Sequence, residues 1–266
     1  MLRQRILTGV VLVPLLGLVV LVLPPPVTVV CLAVLVLLGA WEWSAFPGFT
    51  TDATRLAYVI LIALVMIALW LATSEPGALP GIMLVAALWW CLAFVWIVLA
   101  PARVGRVSAL TAGALVLGPA WVGLARLQSN SELGPMLVLV LLVLVWAADI
   151  GAYFAGRRLG RIKLAPRVSP GKTWEGVLGG LAASLLVALP IGWWLDRLPQ
   201  FVALCLAVVL ASVVGDLTES MFKRFAGLKD SGSVFPGHGG VLDRIDSVTA
   251  AVPFYVLGLG WLGLAA

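Results

Sequence analysis

Between Ser220 and Asp246, a chain that is 62% hydrophobic places four cations, three carboxylates and its only histidine within 27 residues. The segment begins Ser220-Met221-Phe222-Lys223-Arg224-Phe225-Ala226-Gly227-Leu228-Lys229-Asp230. It resumes at Phe235-Pro236-Gly237-His238-Gly239-Gly240-Val241-Leu242-Asp243-Arg244-Ile245-Asp246. Carboxylates beside cations and a glycine-rich turn suit a metal–nucleotide complex. The carboxylates hold Mg²⁺, the cations neutralise phosphate oxygens, and glycine lets backbone N–H groups approach. Asp216, Glu219, Ser220 and Lys223 follow i, i+3, i+4, i+7 spacing and share one helical face. Asp243 and Asp246 are also three apart and share a face where another helix begins. Two acidic pairs on neighbouring helix ends are placed to bracket one or two divalent ions, which lie about 3.5–4 Å apart in phosphoryl-transfer sites.

Two more clusters precede this one. Asp149 opens Asp149-Ile150-Gly151-Ala152-Tyr153 inside an otherwise apolar helix, where a carboxylate is costly enough to indicate function. Pairing with Arg157 or Arg158 at the interface is the competing reading. The segment Ser169-Pro170-Gly171-Lys172-Thr173-Trp174-Glu175-Gly176 imitates a P-loop, but position 166, where the first glycine belongs, holds Pro166. No strand is expected before it either. Ser169, followed by Pro170, reads instead as the cap of a helix whose free N–H groups and nearby Lys172 could hold a phosphate. His238 lies between glycines in a loop, which suits a phosphate contact or a loop-ordering hydrogen bond. A general base is not needed, because a phosphate monoester nucleophile is already ionised.

The Ser-x-Phe-Lys-Arg, Lys-Asp-x-Gly, His-Gly-Gly and Asp-Arg-x-Asp blocks resemble the signature of the bacterial phosphatidate cytidylyltransferases (CDP-diglyceride synthases). The Asp-x-x-Ala-Tyr and Ser-Pro-x-Lys-Thr-x-Glu-Gly blocks resemble it too, so the resemblance covers at least residues 146–253. It implies that CTP and phosphatidate react to CDP-diacylglycerol and pyrophosphate with Mg²⁺, in one- or two-ion form, as cofactor. Together with the residue types, it assigns Asp216, Asp243, Asp246 and Lys223 to catalysis. Lys172, Ser169, Ser220, Arg224, Lys229, His238, Gly239, Gly240 and Arg244 are assigned to substrate phosphates. Asp149, Asp216, Glu219, Asp243 and Asp246 are the metal candidates. For Asp230, ion pairing with the neighbouring cations weighs as much as metal binding. A CTP-dependent lipid kinase is the nearest alternative, although the complete signature argues against it. A CDP-alcohol phosphatidyltransferase fails because Asp246 is followed by Ser247 rather than Gly. A secondary transporter would place its charges at the bilayer midplane.

The elements that position these groups are helices in a membrane. A mean hydropathy of +1.13 with only 11% charged residues excludes a soluble globular domain, which carries roughly 25%. Spans of about 20 apolar residues are expected at 6–23, 27–46, 55–72, 80–100, 107–127, 135–154, 175–195, 201–221 and 246–264. This is an all-α polytopic membrane protein with about nine helices. The fifth has few large aliphatics and is the least secure. With the N-terminus cytoplasmic, 15 of the 17 Lys and Arg residues fall inside, leaving Arg126 and Arg197 outside with the C-terminus. That bias also explains the net charge of +5 without nucleic acid. A bacterial inner membrane is the implied location. Residues 1–134 read as scaffold and 135–266 as the catalytic region of one membrane domain. Cys31, Cys91 and Cys205 lack CxxC spacing and read as packing residues. Gly176-x-x-x-Gly180 permits close helix packing, within one protomer or in a homodimer.

Overall fold

The computed structural model describes residues 14–129, 132–232 and 239–264. His238 therefore lies outside the described residues. Helices dominate: α1 (described over 14–22), α2 (Pro25–Trp43), α3 (Asp52–Ala72), α4 (Ala78–Leu99), α5 (Arg106–Ser129) and α6 (Gly134–Leu159). After a two-stranded hairpin, β1 (Lys163–Ala165) and β2 (Ser169–Thr173), come α7 (Trp174–Trp194), α8 (Leu198–Phe225) and α9 (Leu242–Trp261). Seven of these, α2 to α8, are long and apolar enough to cross a membrane by length and composition. Among the described residues, seven of the nine expected spans meet this measure. α9 carries Asp243, Arg244 and Asp246 near its start, and residues 1–13 lie outside the described residues.

Local sequence explains most boundaries. Pro25 and Pro26 fit the first turn of α2, where their missing N–H groups would be unpaired anyway. The Thr51 side chain accepts from Thr54 N–H at 3.3 Å to cap α3. The expected cap at Ser169 is displaced: Thr173 is the N-cap of α7 and accepts from Gly176 N–H at 3.1 Å. Ser169 instead opens β2 and pairs with Ala165. The expectation of no strand in this region also fails. Pro166 and Pro170 exclude helix, and antiparallel pairing of Lys163 with Thr173 gives the backbone its partners.

α5, the weakest span by composition, is the central helix. It packs against α2, α3, α4, α6 and α9, and every residue from Val116 to Ala125 is buried. A helix enclosed by protein needs small residues for close approach more than large aliphatics facing lipid. α3 shows the opposite pattern, burying only Tyr58, Ile62 and Met66, one stripe at i, i+4 spacing.

α6 and α7 form the most extensively packed helix pair. A Cβ at Gly179 would overlap Ala155 Cβ and the Gly151 carbonyl, and a Cβ at Gly151 would overlap Ala183 and the Gly179 carbonyl. Gly176 and Gly180 face the α6 backbone as well. The small-residue stripe therefore joins two helices of the same chain.

One end of the bundle gathers the C-terminal ends of α2, α6 and α8 and the N-terminal ends of α3, α5, α7 and α9. Arg55 Nε reaches Ser44 Oγ at 3.0 Å, and Trp43 Nε1 donates to Ala109 O at 2.8 Å. At the other end, Arg126 lies 3.8 Å over the Trp70 ring and donates to Thr73 and to Trp70 O.

Gly179→Val should lower unfolding stability in detergent by at least about 2 kcal/mol through overpacking against α6. Gly81→Ala, which meets open space in α4, should be neutral or stabilising by about 0.4–1 kcal/mol. Thermal melts of both purified variants check the contrast.

Candidate active site

The polar side chains gather at the first of these two ends, in two adjoining groups. The first surrounds a cavity of about 600 Å³ between α6, β2, α7 and α8, lined among others by Asp149, Tyr153, Arg157, Lys172, Thr173 and Asp216. Asp149 projects from α6 nearly three turns before its C-terminus. Lys172 stands near the end of β2, and its Nζ lies 2.5 Å from Asp216 Oδ2. Both side chains remain about a quarter to a third accessible, so the pair faces the cavity rather than being sealed in the core. Tyr153 hydroxyl accepts from Arg157 across one helical turn at 2.9 Å. Asp246, at the start of α9, lies within electrostatic reach of both Asp149 and Asp216. Lys172 and Arg244 supply Asp149 with compensating positive charge.

The second group links α8 to α9. Lys223 Nζ lies 2.6 Å from Asp243 Oδ1 and 3.3 Å from Glu219 Oε2. The other oxygen of Asp243 accepts from Gly240 N–H at 2.8 Å, Ser231 Oγ at 2.9 Å and Ser231 N–H at 3.1 Å. The shared face of Asp216, Glu219, Ser220 and Lys223 is present, but its members have different partners. Asp216 turns to Lys172, with Ser220 Oγ 3.4 Å from its Oδ1, while Lys223 pairs with Glu219 and reaches Asp243 on α9. Asp216 and Asp243 thus engage two different lysines. Among the described residues, no three of His, Cys, Asp and Glu converge as a closed ligand set.

Hydrogen bonds tie the hairpin to α7 and α8. Ile162 N–H donates to both Glu175 carboxylate oxygens at 3.1 and 3.2 Å, and Trp174 N–H donates to Ile162 O at 2.9 Å. Arg224 Nε reaches Val168 O at 3.4 Å and so ties the hairpin to α8. Lys229 is exposed in the turn after α8, and Ser169 is partly buried in β2. Gly239, at φ 79°, adopts a left-handed conformation beside Asp243. Gly240 N–H, expected to face substrate phosphate, is bonded to Asp243.

One participant escaped the sequence reading. Glu42, 3% exposed near the end of α2, accepts from Val241 N–H, Leu242 N–H and Ser231 Oγ. Its signal was available, since a carboxylate in an apolar helix attracts notice by the rule that singled out Asp149. It stood alone in Trp41-Glu42-Trp43-Ser44, about 200 residues from its partners.

Comparison with known proteins bears on this arrangement. The model of the cytidylyltransferase family matches residues 3–261. A phosphatidate cytidylyltransferase of Pseudomonas aeruginosa is 46% identical over 272 residues, covering 98% of this chain and 99% of that protein. One of Haemophilus influenzae is 39% identical, covering 96% of this chain and 97% of its own length. One of Brucella suis is 46% identical over 156 residues, 55% of this chain and 56% of that protein. With a match running nearly from end to end and two relatives aligned along almost their whole lengths, this chain belongs to the cytidylyltransferase family.

Proposed function

We propose that the protein is a CTP:phosphatidate cytidylyltransferase, making CDP-diacylglycerol and pyrophosphate in phospholipid biosynthesis. The observation that carries this reading is the cavity at one end of the bundle, where Lys172, Asp216 and Asp149 meet in a chain of this family. A phosphatidate oxygen attacks the α-phosphorus of CTP. The new P–O bond forms as the bond to the β-phosphate breaks, and pyrophosphate leaves with the electron pair. The attacking oxygen is already ionised, so the protein needs no general base there. Its work is positioning and charge stabilisation. Lys172 gives phosphate oxygens a counter-charge inside the cavity, and Arg157 lines the same space.

The residues fit Mg²⁺. Asp149 and Asp216 are oxygen donors facing the cavity, with Asp246 close enough to repel both. Mg²⁺ is commonly bound by one or two carboxylates plus substrate phosphates and water, so a closed protein cage is not required. When bound, the ion would neutralise charge developing on the phosphates. Asp243 and Glu219 would join such a set only by giving up Lys223. A second ion, catalytic roles for Lys223, Asp243 and Asp246, and phosphate contacts from Ser169, Ser220, Arg224, Lys229, His238, Gly239 and Arg244 belong to the same proposal. So do a bacterial inner-membrane location with the polar end cytoplasmic and a scaffold role for residues 1–134. CTP then arrives from water and phosphatidate from the bilayer.

Incubating purified protein with α-labelled CTP, phosphatidate and Mg²⁺ should yield labelled CDP-lipid. A lipid phosphorylated from the γ-position, or no product, would overturn the reading. Asp216→Asn should insert normally yet lose at least a hundredfold in turnover, equivalent to about 2.7 kcal/mol of transition-state stabilisation. Near-parental rates at limiting Mg²⁺ would remove it from the metal set. Lys172→Arg should lose at least tenfold, because a planar guanidinium does not reproduce a compact ammonium. Arg103→Lys, outside both groups, should be nearly silent. In a chain lacking its native cysteines, a cysteine near Gly232, at the exposed Asp230, should resist an impermeant thiol reagent in intact cells while one near Arg197 is labelled. The reverse labelling would invert the topology.

A further inference from the structure

We infer that Glu42 is a positioning residue for the site: from α2, it grips both stems of the segment joining α8 to α9 and thereby sets Asp243 against Lys223. On one stem Glu42 Oε2 accepts from Ser231 Oγ at 3.0 Å. On the other, Oε1 accepts from Val241 N–H at 3.0 Å and Oε2 from Leu242 N–H at 2.8 Å. α9 has no side-chain cap of its own at Val241, so this distant carboxylate satisfies the first N–H groups of that helix. A negative charge there also complements the positive end of the helix dipole.

Two features show that the grip is built rather than incidental. A Cβ at Gly232 or at Gly240 would overlap the Glu42 carboxylate, so both stems carry the residue that leaves room for it. Ser231 Oγ also lies 2.9 Å from Asp243 Oδ2. One hydroxyl proton faces two carboxylates, and donating it to one withdraws it from the other. Glu42 and Asp243 are coupled through that hydroxyl. Asp243 is in turn bonded to Lys223 and to the N–H groups of Ser231 and Gly240. Glu42 touches neither Asp243 nor Lys223 in these contacts, so its influence on the reaction passes through Ser231 and the start of α9.

The kinetic part of this inference rests on the proposed cytidylyltransferase activity, whereas its exchange part does not. Glu42→Gln keeps shape but offers one acceptor oxygen, and its amide N–H₂ must confront a backbone or hydroxyl donor. In the purified full chain, the variant should accelerate amide hydrogen exchange at Val241 and Leu242. It should do so also at Ser231 and Gly240, whose N–H groups are bonded to Asp243. A purely local helix cap would move only the first two. The rate per folded molecule with CTP, phosphatidate and Mg²⁺ should fall at least tenfold, with KM for phosphatidate within about threefold of the parent. Exchange unchanged at Ser231 and Gly240 overturns the inference even if the parent makes no CDP-lipid. A rate within twofold of an active parent overturns it as well. If Glu42→Gln does not accumulate folded protein, Ser231→Ala decides. It leaves the two backbone bonds to Glu42 in place but removes the hydroxyl link. Faster exchange at Gly240 with a severalfold lower rate supports the inference, and parental values for both overturn it.

Discussion

The 2.6 Å contact between Lys223 and Asp243 governs the geometry around it. Both groups are largely withdrawn from water, and a charge so placed persists only with a close partner and further hydrogen bonds. Asp243 has them, from Lys223 on one oxygen and from Gly240 and Ser231 on the other. Removing one member of such a pair costs about 3–5 kcal/mol, because the other is left buried and uncompensated. The pair fixes the end of α8 to the beginning of α9. With α8 so fixed, Asp216, nearly two turns before Lys223, is held facing Lys172 and the cavity. The site is an outcome of satisfying buried charge.

The floor beneath that pair is aromatic. Phe222 lies 5.3 Å from Trp43, 5.9 Å from Trp96 and 6.3 Å from Phe46, centroid to centroid. α2 and α4 therefore pack directly on the residue preceding Lys223. Contacts of this kind prefer tilted or offset rings and add about 0.5–1.5 kcal/mol each beyond burial. The N-terminal helices do more than surround the polar end. Through these rings and through Glu42 they determine where it sits.

Much of this was legible in the sequence, and the omissions have physical causes. Proline and glycine punctuation located the helices to within a few residues, since both residue types act locally on the backbone. The polar groups were visible because charge is rare in this chain. Their pairing was not: spacing places Asp216 and Lys223 on one face, but only the packing of the hairpin and α9 decides which lysine each carboxylate meets. α5 was underestimated because hydropathy rewards large aliphatics, while a helix surrounded by protein favours small residues. Ser169 and Thr173 are both plausible caps by type. The short pairing of β1 with β2 selects Thr173, a non-local effect that a propensity cannot register.

That hairpin also limits what can surround it. Two paired strands leave outer edges of bare N–H and C=O groups, and hydrocarbon offers these nothing. β1 and β2 must therefore face water or protein rather than lipid tails, as they do along the cavity that Leu164, Gly171 and Lys172 line. α6 has 26 residues, roughly 39 Å of helix at 1.5 Å per residue, against a hydrocarbon thickness of about 30 Å. Centring it leaves its last turn protruding toward the hairpin and puts Asp149 roughly 10 Å beneath the boundary. On the proposed reading, a nucleotide phosphate and a lipid phosphate would both have to descend below the headgroup plane to reach Asp149, through the cavity between α6, α7 and α8.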